Sequence, residues 1–362
     1  MNDKINVLIT AIGGGGHGEQ ILKALKWADG DRYRIFGGDM NRNCPQFNYV
    51  DKAITLPSAT SPEFIDSVLK ICKAHDICAV FHGCEPELLA YSRARDRFGS
   101  EGILLPINKA EVIEMCLDKV RSSEFLQSVG FAPPRYILAE NAEDAKSLEL
   151  FPLIVKPHVG SGGSKDCYIV QNNAELDAVF VLLHASAENP IMVQEYVGTP
   201  QTEYTVGVLH DLDGNFINSI AVRRELKSAL NLRISTPNNT GKEELGQHLV
   251  ISSGISMGEV CDDREVLQTC EKIAAALDVR GAINIQGRMT PNGFKTFEIN
   301  PRFSGTTSIR AMMDYNEPDI LLRKHVFGEK ISPRFSYNKG FVLRSLIESK
   351  ASEQTVRLWS EY

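Results

Sequence analysis

The sequence predicts an α/β protein: a parallel-sheet unit at the N-terminus, followed by an α+β part. Three observations support this. Apolar strands alternate with amphipathic helices through the first 110 residues, a pattern that folds as a parallel sheet flanked by helices. Beyond that stretch, strands are joined by hairpin turns such as Asp213-Gly214. Finally, the run Phe297-Glu298-Ile299-Asn300-Pro301-Arg302 sits on a predicted hairpin that gathers oxygen-bearing side chains on one face.

In the first unit, Ile5 to Ile12 is a buried-type strand, Gly13-Gly14-Gly15-Gly16-His17-Gly18 a glycine turn, and Glu19 to Trp27 an amphipathic helix. Gly13, Gly15 and Gly18 match G-x-G-x-x-G. The strand Tyr33 to Gly38 ends at Asp39, about where a ribose-binding acid stands in a dinucleotide fold. Any tight strand-to-helix turn also wants glycines, so packing geometry accounts for the motif as well. His17 reads either as a loop residue at a helix start or as a catalyst. Helix Pro62 to His75, strand Ile77 to Phe81 and helix Glu85 to Phe98 continue the alternation. His82, Glu85 and Glu87 stand at the carboxyl end of a strand, where open α/β sheets bind ligands. For the two glutamates, favourable placement at a helix N-terminus is the competing explanation.

After Ile103 to Leu105 the pattern changes. Lys109 to Val129 reads as a helical stretch containing Asp118 and Lys119, ended by Gly130, and Ala132-Pro133-Pro134-Arg135 is a stiff link. Phe151 to Pro157 is a short strand bearing Lys156, and His158 to Lys165, with Gly162, Gly163 and Ser164, is a glycine-rich loop. This is not a Walker A sequence, yet a fixed charge beside flexible backbone N–H groups is what a triphosphate needs. Alternatively, Lys156 guards a sheet edge. Ile191 to Val197 is an apolar strand ending in a polar linker that offers backbone groups to an adenine edge. Glu203 to Leu209 follows, and Arg223, Arg224, Lys227 and Arg233 then bring several cations into one segment. Asp263 to Leu277 is an amphipathic helix.

It leads into the hairpin. Ala282 to Met289 is a strand, and Thr290-Pro291-Asn292-Gly293 has the residues of a type I turn followed by a left-handed glycine. With Pro291, Asn292 and Gly293 as the loop, Thr290 lies opposite Phe294 and Gln286 opposite Glu298 on the same face. A two-residue loop would turn Gln286 away. Glu298 and Asn300 share that face, while Phe297 and Ile299 point into the apolar layer. An amide, a carboxylate and a second amide form a hard oxygen set suited to Mg²⁺, and Arg302 is placed to meet phosphate oxygens. A Glu on a strand face is ordinarily a solvated residue or half of an ion pair; sheet packing asks for no such set beside an arginine.

Composition sets the limits. With 362 residues and 43% hydrophobic content the chain has room for two or three cores. The formal net charge of -7 and the lack of a basic stripe argue against nucleic acid as partner. Eight cysteines without a Cys-x-x-Cys pair signal neither zinc nor a disulfide framework. Met1-Asn2-Asp3-Lys4 runs straight into a strand, and there is no signal peptide or membrane-spanning run, so a cytoplasmic protein is expected.

Taken in order, Lys119, Lys156 with its glycine-rich loop, Gln194-Glu195-Tyr196-Val197, Glu203, Gln286 and Glu298-Ile299-Asn300-Pro301-Arg302 resemble the ATP-grasp superfamily, and in particular one synthetase half of the carbamoyl-phosphate synthase large subunit, over about residues 5 to 325. The resemblance implies an ATP-grasp fold. Residues 1–110 would form a Rossmann-like domain that helps bind the acceptor, 111–190 and 191–328 two α+β subdomains gripping the nucleotide, and 329–362 an extension without an interpretable motif. It implies that Lys119 and Lys156 hold ATP phosphates under the loop at Gly162, Gly163 and Ser164, that Glu195 and the backbone at Tyr196 and Val197 hold adenine, and that Glu203 holds the ribose. By the same analogy Gln286, Glu298 and Asn300 bind two Mg²⁺, with Mn²⁺ as a substitute, and Arg302 stabilises the phosphoryl group in flight. Arg223, Arg224 and Arg310, near Ser304-Gly305-Thr306, become candidates for anchoring the acceptor carboxylate, or else structural ion pairs.

The implied activity is ATP-dependent joining of a small carboxylate to an amine through an acyl-phosphate. The chain has room for one synthetase half and no second copy of the Glu298 motif, which favours an amino-acid-like acceptor over bicarbonate or carbamate. A nucleotide-binding protein without ligase chemistry and an NAD-dependent oxidoreductase are the competing classes. Small molecules are the expected partners, with no nucleic acid and no membrane, and a homodimer as one admissible assembly.

Overall fold

The computed structural model describes residues 4–160, 162–348 and 350–360, so Met1, Asn2 and Asp3 and, within the glycine-rich loop, Ser161 lie outside the described residues. In the first unit β1 (Ile5–Ile9), β2 (Tyr33–Asp39), β3 (Lys52–Thr55) and β4 (Ile77–Phe81) pair in parallel in the order β3-β2-β1-β4. Helices α1 (His17–Lys26), α2 (Phe64–Ala74), α3 (Glu85–Arg93) and α4 (Arg95–Ser100) connect and follow these strands. The expected helix over 85–98 is thus two, broken at Ala94 (φ -101°, ψ 9°), and the buried Tyr91 and Phe98 rings meet edge to face at 5.4 Å across the break. Beyond α4, Leu104 makes an isolated parallel bridge to Ala79.

The expected helical stretch over 109–129 is also divided, into α5 (Ala110–Leu117) and α6 (Lys119–Ser128). Asp118 leaves helical geometry (φ -100°, ψ 115°) and accepts from the Val120 and Arg121 amides, an N-cap. The consequence is positional: the Lys119 amide donates to the His158 carbonyl at 2.9 Å, which pins this lysine beside the glycine-rich loop.

Next comes an antiparallel sheet, β5 (Tyr136–Ala139), β6 (Leu153–Pro157), β7 (Tyr168–Val170) and β8 (Ile191–Glu195), in the order β5-β8-β6-β7. Its core includes Leu153, Val155 and Val193 with residues of α7 (Ala142–Lys146) and α8 (Asn173–Leu182). Because strand residues alternate, Ile154 and Lys156 face the other way, into a cleft.

The third sheet forms the opposite wall of that cleft. It contains β9 (Glu203–His210) and β10 (Phe216–Arg224), with β11 (Leu232–Pro237) and β12 (His248–Ser252) as a separate ribbon, then β13 (Gly258–Cys261), β14 (Ala282–Thr290), β15 (Gly293–Asn300) and β16 (Gly340–Val342). Its order is β15-β14-β9-β10-β13-β16. Helix α9 (Arg264–Ala276) buries Val266, Cys270 and Ile273 against Val206, Ile283, Ile285 and Ile299. Helices α10 (Thr307–Met312) and α11 (Glu317–His325) share a core with α1. The C-terminal segment, unreadable by motif, is built into the fold: β16 pairs with β13, and Gln354 of α12 (Glu353–Ser360) accepts from the Ala53 amide at 2.9 Å. Among the described residues no helix is long and apolar enough to cross a membrane.

The hairpin corrects one expectation. Thr290 pairs with Gly293 and Met289 with Phe294, so the loop is the two residues Pro291 and Asn292. Gln286 nevertheless lies opposite Glu298, because the register shifts between Gln286 and Gly287 and leaves Phe297 as an extra residue. A β-bulge restores what the loop length alone would have lost. It also turns Phe297 out of the apolar layer to line the cleft.

Candidate active site

Two cavities meet at the hairpin. The first, ≈ 700 Å³, opens between the second and third sheets and is lined by Lys119, Lys156, Glu195, Tyr196, Val197, Glu203 and Arg288 among others. Burial pushes the Lys156 ammonium down to about 8, and its Nζ donates to Gln194 Oε1 at 2.9 Å. Glu195 Oε2 accepts from the Arg135 amide at 3.2 Å. The backbone groups expected to face adenine are partly engaged: the Tyr196 amide donates to the Pro152 carbonyl (3.2 Å), and the Val197 carbonyl accepts from Arg288 Nη1 (3.2 Å). Glu203 sits in the cavity wall with its carboxylate between two arginines, Arg224 Nη1 at 3.1 Å and Arg288 Nη2 at 2.9 Å. Burial alone would raise its pKa, but the two guanidinium groups outweigh that and hold the carboxyl below its ordinary range.

The second cavity, ≈ 1280 Å³, is shared by all the main units. Gly14, Gly15, Gly16, His17 and Glu85 come from the parallel-sheet unit, Gly162, Gly163 and Ser164 from the glycine-rich loop, and Arg224, Asn284, Asn300, Arg302, Ser304, Gly305 and Thr306 from the third sheet and the turn beyond it. In the first turn Gly13 and Gly18 serve close packing, while Gly14 and Gly15 stand in open space at positive φ. A Cβ on Gly18 would stand 2.4 Å from the Ala11 carbonyl oxygen, and one on Gly83 2.2 Å from the same atom. Asp39, read as a ribose acid, instead accepts from the Gly13 amide (2.9 Å) and the Asn41 amide (2.8 Å), and so braces the turn. Beside it His17 Nε2 lies 3.1 Å from His82 Nδ1. Burial first, then the Arg302 charge, drives both imidazoles down, His82 to about 3, so the pair is neutral at physiological pH.

Gln286, Glu298 and Ser164 line both cavities. Gln286 Nε2 donates to Glu298 Oε2 at 3.0 Å, and Asn300 Oδ1 accepts from Arg302 Nη2 at 3.0 Å. Arg302 also donates to Glu85 Oε1 at 2.7 Å. Among the described residues no three His, Cys, Asp or Glu side chains cluster to hold a metal. The oxygen set from the hairpin, one carboxylate and two amides, still fits Mg²⁺ in kind. It supplies a single negative charge, so phosphate oxygens would have to complete the site.

Two of the expected anchors are not in the cavity. Strand alternation turns Arg223 outward to an ion pair with Glu259, while its neighbour Arg224 faces the site. Arg310 is 0% exposed and bonded to Glu317 (2.9 Å) and to Asn284 Oδ1 (2.6 Å), beneath the floor rather than in it. Arg288 and Asn284 were missed by the sequence reading. Arg288 lies two residues from the end of β14, where nothing local sets it apart from a surface cation, and only the fold shows it over the Tyr196 ring at 4.6 Å.

The family model described as "ATP-grasp in the biosynthetic pathway with Ter operon" matches residues 187–345, and that of the "PylC-like, N-terminal domain" matches residues 7–106. The carbamoyl phosphate synthase large chain of Helicobacter pylori (strain ATCC 700392 / 26695) is 26% identical over 289 residues, 74% of this chain and 24% of that protein. That of Thermoanaerobacter pseudethanolicus is 25% identical over 205 residues, 55% of this chain and 17% of that protein. The chain therefore spans about a fifth of the length of these relatives. Among solved structures, a Campylobacter jejuni biotin carboxylase in complex with β,γ-ATP superposes with a TM-score of 0.64 at 17% identity, covering 92% of this chain and 73% of that one. The N5-carboxyaminoimidazole synthetase of Staphylococcus aureus complexed with ADP gives 0.62 at 13% identity, with 94% and 81% covered. An L-amino acid ligase from Bacillus licheniformis gives 0.62 at 16%, with 92% and 78% covered. With the two sheets and the cleft between them, these matches show an ATP-grasp fold, in which residues 187–345 match an ATP-grasp family model.

Proposed function

We propose that the protein is an ADP-forming ligase that uses ATP to activate a small carboxylate as an acyl-phosphate and joins it to an amine. The observation that carries this reading is the common wall: Gln286 and Glu298 face both the cavity with Lys119, Lys156 and Glu195 and the cavity with Arg302. A nucleotide in the first and an acceptor in the second would meet there. The division of labour is 1–110 for the acceptor side, 111–190 and 191–328 for the two nucleotide-gripping subdomains, and 329–362 as an extension that lends β16 to the larger sheet.

In this reading Lys119 and Lys156 take the phosphates, and the loop at Gly162, Gly163 and Ser164 closes over them and excludes water. Glu195 and the Val197 linker face adenine, and Glu203, fixed by its arginines, stands on the ribose side. Gln286, Glu298 and Asn300 would hold two Mg²⁺ or Mn²⁺ ions, which when bound neutralise phosphate oxygens that otherwise repel a carboxylate. A carboxylate oxygen attacks the γ-phosphorus, the bond to the β–γ bridging oxygen breaks, and ADP leaves with the electron pair. The amine nitrogen then attacks the acyl carbon, the carbon–oxygen bond to phosphate breaks, and the nitrogen loses a proton as inorganic phosphate departs. Arg302, now tied to Glu85 and Asn300, is positioned to exchange those partners for the transferring phosphoryl group. Arg224 replaces Arg223 and Arg310 as the cation facing the acceptor.

The test is a screen of ADP release over pairs of small carboxylates and amines, with amino acids first, followed by ¹⁸O labelling of the productive carboxylate. Ligase chemistry predicts ADP release that depends on both cosubstrates and one labelled oxygen in the phosphate. ATP hydrolysis indifferent to either cosubstrate, or unlabelled phosphate, contradicts it.

A further inference from the structure

The second cavity contains an amide whose orientation is fixed by a buried ion pair. Asn284 of β14 stands opposite Gly207 of β9 and Asn300 of β15, two residues from Gln286 and on the same face. Gly207 has no side chain to fill its share of that face, and the Arg310 guanidinium takes the space: a Cβ on Gly207 would lie 2.4 Å from Arg310 Nη1. Through this gap Arg310 donates from Nη2 to Asn284 Oδ1 at 2.6 Å, and Thr205 Oγ1 donates to the same oxygen at 2.8 Å. Two bonds from Nη1 to the Glu317 carboxylate, at 2.9 and 3.2 Å, hold the guanidinium in place.

A guanidinium has donors only, so the amide oxygen must face it and the Nδ2 hydrogens must face away. Among the described residues nothing accepts from Nδ2, although Asn284 is 2% exposed, and the residue lines the cavity that also holds Arg224 and Arg302. A free amide can turn over and present either end. This one presents donors alone.

We propose that Asn284 is an acceptor-binding residue whose Nδ2 donates to a carboxylate oxygen of the substrate, and that Arg310, which touches no substrate, is the positioning residue that keeps the donor end inward. The inference rests on the ligase reading in taking the second cavity as the acceptor's. Two residues of strand separate Asn284 from Gln286, roughly 7 Å. A carboxylate between them turns one oxygen to Asn284 and the other toward the wall of Gln286 and Glu298, where a γ-phosphoryl group would arrive. The rest of the lining suits a polar acceptor, since among the described residues Cys84, Pro86 and Ile255 are its only apolar members besides glycine.

NMR of the ¹⁵N-labelled full chain with MgADP tests this, with acetate, L-serine or succinate added to about 100 mM, enough to reveal a contact of millimolar strength. The Asn284 side-chain amide, assigned by its loss in Asn284→Asp, should shift saturably with at least one of these compounds. Asn284→Asp keeps a partner for Arg310 and removes both donors, so it should bind that compound at least roughly tenfold more weakly, read from the Gly305 backbone amide in the same cavity, with MgADP affinity unchanged. Arg310→Lys, which grips Oδ1 from a single point, should also weaken the carboxylate and spare MgADP, a split that loss of structure would not give. An Asn284 amide indifferent to all three compounds overturns the proposal, and so do variants that bind them as the wild type does. The ligase reading fails separately. Carboxylate binding at Asn284 without ADP release from any cosubstrate pair sinks that reading and leaves the carboxylate site standing, whereas ADP release with an unmoved Asn284 amide does the reverse.

Discussion

Glu87 and Lys156 show how burial sets charge in this molecule, in opposite directions. Glu87 Oε2 accepts from Thr10 Oγ1 (2.7 Å) and the Gly83 amide (2.9 Å), yet burial outweighs these bonds and lifts its pKa from 4.5 to about 7. A carboxyl whose folded pKa exceeds its unfolded one contributes stability that is complete below about pH 4.5 and is lost as pH rises through 7. Glu87→Gln should therefore melt in urea like the wild type at pH 4.5 and be more stable at pH 8, by about 3 kcal/mol. No gain at pH 8 would contradict the burial argument. Lys156 runs the other way. Held down to about 8 by burial, it loses its charge above that pH, and in the proposed function phosphate binding needs the charge. ADP affinity measured by calorimetry should weaken roughly tenfold per pH unit above 8. Lys156→Arg should bind less tightly but with a flat profile, since a guanidinium stays protonated there.

At the scale of elements, the hairpin shows what a sequence can and cannot tell. The strands and the shared face of Glu298 and Asn300 follow from period-two alternation, whereas the pairing of Gln286 with Glu298 depends on the bulge. The loop length does not, because the extra residue sits at Phe297 inside β15 instead of in the turn. The physical mark is Gly287: a Cβ there would lie 2.5 Å from the Lys295 carbonyl oxygen and 2.6 Å from the Phe294 ring. A glycine in a strand reads as a bulge only once its cross-strand neighbours are known. The parity of Arg223 and Arg224 was illegible for a related reason, since adjacent strand residues swap faces and nothing local says which face is wet. Gly207 in β9 supports the same sheet. Its missing Cβ makes room for the Arg310 guanidinium, 2.4 Å from where that atom would be. Gly207→Ala should displace the buried Arg310–Glu317 pair and cost roughly 3 kcal/mol. Gly99→Ala, with open space around it, should leave the thermal midpoint nearly unchanged.

For the whole molecule, the alternation of elements revealed the parallel sheet, and the ordered ligand residues revealed the ATP-grasp resemblance. How the units close on one another was not legible. Contacts such as Arg302 with Glu85, 217 residues apart, and Ser308 with Gln20, 288 apart, depend on docking that no local pattern encodes. That docking makes one cavity, the proposed acceptor site, from the glycine turn, the glycine-rich loop and the hairpin. The account rests on Glu298 in the wall common to both cavities, and the most direct test is ADP formation by Glu298→Gln with the best carboxylate–amine pair and saturating Mg²⁺. Turnover should fall by at least roughly 10²-fold, with the thermal midpoint within a few degrees of wild type. A variant that folds and forms ADP at the wild-type rate would contradict it.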